Sequence, residues 1–222
     1  MIIFENRSFR IESFISGILR NNSYLLISKN TLHSIIIDIP DNPKELISAI
    51  PNNKLDKSEN INTIQAVITH GHYDHCEGID FVKNKLGEIN VSIGLEDSKY
   101  LSYSGKIIKL KESTRIIDED LELEVIYTPG HTAGSICLYI EIAEKKILFT
   151  GDTVFPGGPG KTFDSKSFNK IYNSITKKIY SLAEETIIFP GHGNSISIKQ
   201  SKKEFSNFKF NSNLFGDITW NQ

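Results

Sequence analysis

Apolar positions along the chain come in short runs separated by Gly, Pro, Asn and Asp, and the clearest helical spacing falls late in the sequence. Phe14–Leu19 and Tyr24–Ser28 flank Asn21-Asn22, a turn dipeptide, and together predict a hairpin. Ile35–Ile39 is a β-branched run stopped by Pro40, the mark of a strand buried on both faces. Asp41 or Asn42 would cap a short helix over Pro43–Ile50, with proline in its first turn. Asn52–Asn62 is polar and reads as a surface loop.

Ile64–Thr69 is the next strand, and His70-Gly71-His72-Tyr73-Asp74-His75 follows it directly. A helix is expected from about Glu77 to Leu86, a strand at Val91–Ile93 and a short helix at Glu96–Leu101. Leu121–Tyr127 alternates as a strand does and is stopped by Pro129-Gly130. Ser135–Ile140 and Ile147–Phe149 read as paired strands around the polar turn Glu144-Lys145. Gly151–Asp164, rich in Gly and Pro, is expected to be an ordered loop. Phe168, Ile171, Tyr172, Ile175, Ile179 and Leu182 recur at helical spacing, which predicts an amphipathic helix over Ser165–Leu182. Thr186–Phe189 is a last strand, followed by Pro190-Gly191-His192-Gly193; the tail after Lys199 is expected to hold one helix and then fray. No repeat, low-complexity tract or linker breaks the chain, so one domain is expected over residues 1–222, with its core at about 11–208 and a short C-terminal tail.

Composition narrows the function classes. The chain has 222 residues, 39% hydrophobic and 23% charged, with a formal net charge of -2, which argues against a nucleic-acid surface. Only two cysteines are present, Cys76 and Cys137, too few for a disulfide framework; both are expected to be reduced thiols, Cys137 in the core and Cys76 a small apolar residue and not a ligand. The N-terminal residues, with Glu5 and Glu12, do not read as a signal peptide, and no run approaches the roughly 20 apolar residues of a membrane span, so a cytoplasmic protein is expected, with no membrane and no nucleic-acid partner.

The chemistry lies in where the histidines fall. Of six, five follow predicted strands: His70, His72, His75, His131 and His192, with Asp74 and Asp152 in similar positions; His33 is expected to take no part. Strand ends converge on one rim in such folds, so distant residues can meet there. Imidazole and carboxylate together suit zinc. His70 and His72, two apart in an extended segment, point the same way and can grip one metal. Asp74 and His75 can be aimed at a second. The glycines beside these residues suit a crowded site.

At this point the chain resembles the metallo-β-lactamase superfamily. The resemblance rests on His70-x-His72-x-Asp74-His75, on His131 in Thr128-Pro129-Gly130-His131-Thr132, on Asp152 in Thr150-Gly151-Asp152-Thr153, and on His192 in Pro190-Gly191-His192. It implies an α+β fold, a four-layer αβ/βα sandwich of two mixed β-sheets with helices outside. It also implies that His70, His72 and His131 hold one metal and Asp74, His75 and His192 a second. Asp152 would bridge both together with a hydroxide, and Asp74 would orient that hydroxide, which makes Asp74 and Asp152 the catalytic carboxylates. Two Zn2+ are expected, iron and manganese being alternatives for the same donors. Two divalent cations against two carboxylates and a hydroxide leave about +1, which favours anionic substrates.

Within the family the motifs resemble the short glyoxalase II-like group, implying hydrolysis of a small, anionic thioester. β-Lactamases of class B lack an Asp at the place of Asp152. The family's lactonases carry Tyr where this chain has Phe155. Persulfide dioxygenases, with one iron, carry Arg and Asp where this chain has Lys161 and Phe163. Lys161 falls where glyoxalase II holds the glutathione part of its substrate, and Phe163 where it has Tyr; Lys161, Phe163 and Phe155 are therefore the expected substrate contacts. A lactonase, a sulfur dioxygenase and a metal-binding protein without turnover are the competing readings, and oligomeric state is not legible.

Overall fold

Ile35, Ile36 and Ile37 offer no polar side chain to turn toward water, and the strand that carries them is buried on both faces. It lies near the middle of a seven-stranded sheet. The structure, a computed structural model, describes residues 1–50 and 64–221; the surface loop expected at 52–62 lies outside them. The first sheet runs in the order β1 (Ile2–Glu5), β2 (Phe9–Ser16), β3 (Asn21–Ser28), β4 (Ser34–Ile37), β5 (Ile64–Ile68), β6 (Asn90–Gly94) and β7 (Ile107–Leu110). Strands β1 to β4 pair antiparallel, and β4 to β7 parallel. Helices α1 (Lys44–Ala49) and α2 (Ile79–Leu86) pack outside it, with Leu46, Ile79 and Val82 against Ile36, Ala66, Ile68 and Val91.

The second sheet begins with β8 (Arg115–Asp118), β9 (Leu121–Tyr127), β10 (Ile136–Ile142) and β11 (Lys145–Gly151), all antiparallel. After a two-stranded ribbon of β12 (Val154–Phe155) and β13 (Gly158–Pro159) come β14 (Ile187–Pro190), parallel to β11, and β15 (Ile196–Ser197). Helices α3 (Ser165–Lys177) and α4 (Ile198–Phe205) cover its outer face through Phe168, Ile171, Ile175 and Ile198. Between the sheets, Leu26, Ile35, Ile37 and Val67 meet Leu123, Val125, Leu138 and Phe149, each fully or almost fully buried. Burying such a side chain contributes about 1.5–3 kcal/mol, so this seam is the main apolar adhesive between the sheets. The layers are helix, sheet, sheet, helix, as the resemblance implies.

Several local expectations change. The first hairpin turns at Gly17–Arg20, and Asn21 and Asn22 are buried members of β3. Their amides are used across the molecule: Asn22 Nδ2 donates to the carbonyls of Pro190 (3.0 Å) and Gly193 (2.9 Å). Neither Asp41 nor Asn42 caps α1; the Asp41 carboxylate accepts from Asn42 N instead. The helix from Ser165 stops at Lys177, with a separate 3-10 turn at Ile179–Ser181, and Asp164 caps its start by accepting from Ser167 N at 2.6 Å. The tail does not fray. Trp220 is 1% exposed, packs on Phe205 and Phe208, and donates its backbone N–H to Gly157.

Candidate metal centre

β5, β9, β11 and β14 all deliver their C-terminal ends to one rim. His70 and His72 follow β5, His131 follows β9, Asp152 follows β11, and His192 follows β14. A 3-10 turn at Tyr73–His75 brings Asp74 and His75 back to the same place. The structure unites the seven expected residues in three overlapping groups: His70, His72 and His131; His70, His75 and Asp152; Asp74, His75 and His192. Within each group the donor atoms lie within 4.8 Å of one another.

The imidazole protons can be placed by what each ring touches. His131 Nδ1 lies 2.8 Å from the Lys161 carbonyl, and His192 Nδ1 3.2 Å from the Leu19 carbonyl. His75 Nδ1 lies 2.8 Å from Asp38 Oδ2. Carbonyl and carboxylate oxygens only accept, so these three nitrogens carry protons and leave Nε2 with a lone pair. Thr69 gives its hydroxyl proton to Asp38 at 2.8 Å, so it can only accept from His70 Nδ1 at 3.1 Å. Four Nε2 lone pairs thus face inward, joined by His72 Nδ1, which sits 3.1 Å from His70 Nε2 and 2.9 Å from His131 Nε2. Asp152 reaches both sides: Oδ1 lies 3.4 Å from His75 Nε2, and Oδ2 lies 3.6 Å from His131 Nε2 and from His192 Nε2.

This donor set fits divalent metal. Nitrogen and oxygen ligands of a tetrahedral zinc lie about 3.3 Å apart, and the separations here bracket that value. His75 Nε2 and Asp152 Oδ1 are buried with no hydrogen-bond partner among the described residues, and a cation between them would supply one. Gly191 completes the crowding: a Cβ there would fall 2.3 Å from Asp152 Oδ1 and 2.6 Å from His75 Cε1.

Electrostatics divide the centre. Burial, then the neighbouring imidazoles, push His70 well below the usual histidine range, and burial with His131 lowers His72. Burial also opposes charge on His75, but the Asp38 and Asp152 carboxylates outweigh it and hold its pKa well above the ordinary value. His192 is raised the same way, burial being overcome by Asp74 and Asp152. Asp74 is held low despite burial, by hydrogen bonds from His192 and Asn21. The carboxylates on this side thus favour positive charge at His75 and His192.

Residues not singled out from the sequence hold this centre in place. Asp38, just after β4, is 1% exposed and accepts from Thr69 N (2.7 Å), Thr69 Oγ1 and His75 Nδ1. It was hidden inside an apolar run, where a lone acid before Pro40 is itself a signal. Asn21, fully buried, donates to Asp74 Oδ2 at 2.9 Å and lies 3.3 Å from His192 Nε2. Asp97, also fully buried, accepts from Gly71 N (2.8 Å), Thr132 Oγ1 (2.6 Å) and Gly134 N (2.8 Å), tying the His72 loop to the His131 loop.

The expected substrate contacts are spread along one lip. Phe155 lies with its ring centroid 6.3 Å from that of His192. Lys161 supplies its carbonyl to His131, while its ammonium lies 3.4 Å from Asp217. Phe163, two residues after Lys161, is 67% exposed. Cys76 belongs to none of the donor groups; its thiol lies 3.3 Å from the His72 carbonyl, and burial with Asp38 nearby pushes it up to about 12. His33 lies apart, 2.7 Å from Asp118.

A family model described as the metallo-beta-lactamase superfamily matches residues 21–192. The chain is 30% identical over 197 residues to a probable hydroxyacylglutathione hydrolase of Schizosaccharomyces pombe, covering 88% of this chain and 69% of that one. It is 31% identical over 179 residues to the hydroxyacylglutathione hydrolase of Pelagibacter ubique, covering 78% and 66%. The chain thus spans about two thirds of the length of these relatives. Among solved structures, a metallo-beta-lactamase from Staphylococcus aureus superposes with a TM-score of 0.74 at 24% identity, over 90% of this chain and 62% of that one, a likeness of fold.

Proposed function

The chain belongs to the metallo-β-lactamase superfamily, and on that premise we propose that it is a metal-dependent hydrolase that opens a small thioester at a two-metal centre. The observation that carries the reading is the convergence of inward-facing imidazole lone pairs on a carboxylate, Asp152, whose two oxygens serve both sides. His70, His72 and His131 would hold one cation, Asp74, His75 and His192 the other, and Asp152 would serve both. Zinc is the proposed pair, on a donor set that iron and manganese also accept. When bound, such cations lower the pKa of water from about 15.7 toward 7 and act as Lewis acids toward an acyl carbonyl.

The chain's own residues do the rest. Asp74 would orient the attacking water by accepting its hydrogen bond, and Asp152 would hold the two sides of the centre together. Asp38 and Asn21 fix His75 and Asp74 so that neither must reorganise during reaction. A thiolate has a conjugate-acid pKa near 8.5 and departs with little protonation, so no further acid is required of this lip. The names of the two hydrolase relatives support a hydroxyacyl thioester. A centre near +1 favours an anionic substrate, with Phe155 and Phe163 along its approach and Lys161 at its remote, thiol-carrier end. No helix among the described residues is long and apolar enough to cross a membrane; a cytoplasmic location is part of this reading.

The test is a substrate panel on metal-quantified protein: thioester, lactone, β-lactam and phosphodiester, with oxygen uptake followed on a persulfide. Thioester turnover should lead by at least tenfold in kcat/KM. A lactone in first place, or oxygen consumption with one iron per chain, would overturn the proposal.

A further inference from the structure

The loop that carries Lys161 is held from outside by the C-terminal tail. Thr162 N donates to the Gly216 carbonyl at 3.2 Å, and Gly216 N returns a bond to the Thr162 carbonyl at 2.8 Å. Trp220 N donates to the Gly157 carbonyl at 2.8 Å, and the Glu204 carboxylate accepts from Gly157 N at 2.8 Å. A Cβ on Gly158 would lie 2.5 Å from the Ile218 carbonyl, so loop and tail backbones pack directly. Trp220, buried beneath, anchors the strap. The reciprocal Thr162–Gly216 bonds have one further effect. They bring the residue before Thr162, Lys161, beside the residue after Gly216, Asp217, with Nζ 3.4 Å from Oδ2. Both side chains remain open to substrate, 53% and 79% exposed.

A lone lysine at this lip would attract any anion. A lysine paired with a carboxylate presents a donor beside an acceptor. A bare carboxylate meets attraction from one and repulsion from the other. A secondary amide matches both, its carbonyl accepting from Lys161 and its N–H donating to Asp217. We infer that Asp217 is a specificity-determining residue of the substrate site, which turns the Lys161 position from an anion contact into one that favours thiol carriers bearing an amide over carriers bearing only a carboxylate. The inference rests on the thioester reading and refines it at the remote end of the substrate. The overall anion preference stays with the metal centre.

Two thioesters of one acyl group separate the cases: S-lactoyl-3-mercaptopropionate, with a carboxylate, and S-lactoyl-N-acetylcysteamine, with a neutral amide. In Asp217→Ala the KM ratio of carboxylate to amide carrier should fall about 2- to 5-fold, the range for an exposed ion pair. The same change made in a Lys161→Ala background should leave most of that fall absent. A tail that merely loosened would raise both KM values together, and that outcome, like an unchanged ratio, overturns the inference. Should neither thioester be turned over, the functional proposal fails on its own. Asp217 is then judged from the dissociation constants of 3-mercaptopropionate and N-acetylcysteamine on the zinc-loaded protein by calorimetry. The same 2- to 5-fold shift supports the inference, and its absence refutes it.

Discussion

The trio His70, His72 and His131 is steadied by a hydroxyl, a backbone carbonyl and a distant brace, while Asp74, His75 and His192 are steadied by a buried carboxylate and a buried amide. Thr69 and the Lys161 carbonyl orient the first set, and Asp97 ties its loops without touching a ring. Asp38 bonds His75 directly, and Asn21 bonds Asp74. The difference shows in the charge each side prefers when metal is absent. His70 and His72 are shifted toward the neutral form, His75 and His192 toward the charged one. Similar donors can therefore differ in how strongly protons compete with a cation for them.

Removing the one residue common to both sides tests whether they form a unit. Asp152→Ala should lower kcat/KM by at least about 1000-fold, equivalent to about 4 kcal/mol, and bring metal content below two equivalents by elemental analysis. Retention of two tight equivalents would mean that the trios are independent.

Acidity should separate them next. His75 and His192 have pKa values raised above the ordinary 6.5, so they begin to regain protons as pH falls, while still above that value. His70 is held well below that value and His72 is lowered too, so both take up protons only at lower pH. Each displaced proton costs about tenfold in apparent affinity per pH unit, so the second site should weaken by up to about 100-fold per unit while the first holds. Metal titrations at stepped pH would show one equivalent leaving before the other; simultaneous loss would erase the contrast.

Asp38→Asn removes the carboxylate behind the second trio. The second equivalent should bind about 10–100-fold more weakly, as is typical for partners that orient metal ligands, with the first keeping its affinity in the same calorimetric titration. Equal weakening of both would assign Asp38 to the shared Thr69 backbone and not to His75. Asn21→Ala should be milder, about 5-fold on the second equivalent, the worth of one hydrogen bond near 1 kcal/mol. An unchanged second step would leave Asn21 a packing residue.

The ligand cluster was legible from the chain because each member follows a strand, and parallel or suitably turned strands end on one rim. Asn21 was not, because β3 runs antiparallel and starts where the others end, so its first residue joins the rim from a position that reads as a turn. Asp38 sat unnoticed in Ile35–Ile39. The edge strands β1, β7 and β8 have four residues each, too few to display a period. Lys161 was visible as a cation in a glycine-rich loop. Its partner Asp217 was not, since pairing across 56 positions depends on the tail docking and no local pattern encodes that. The layered fold itself followed from the alternation of strands and helices together with the family motifs.

The span of the second trio has a consequence for the order in which the molecule matures. Asn21 and His192 meet although 171 positions separate them. During synthesis the first trio is complete once His131 has emerged, but the second lacks a ligand until His192 follows. Completion of the second trio therefore waits for β14 to dock beside the start of β3, and it ties the turn at Gly17–Arg20 to the end of β14.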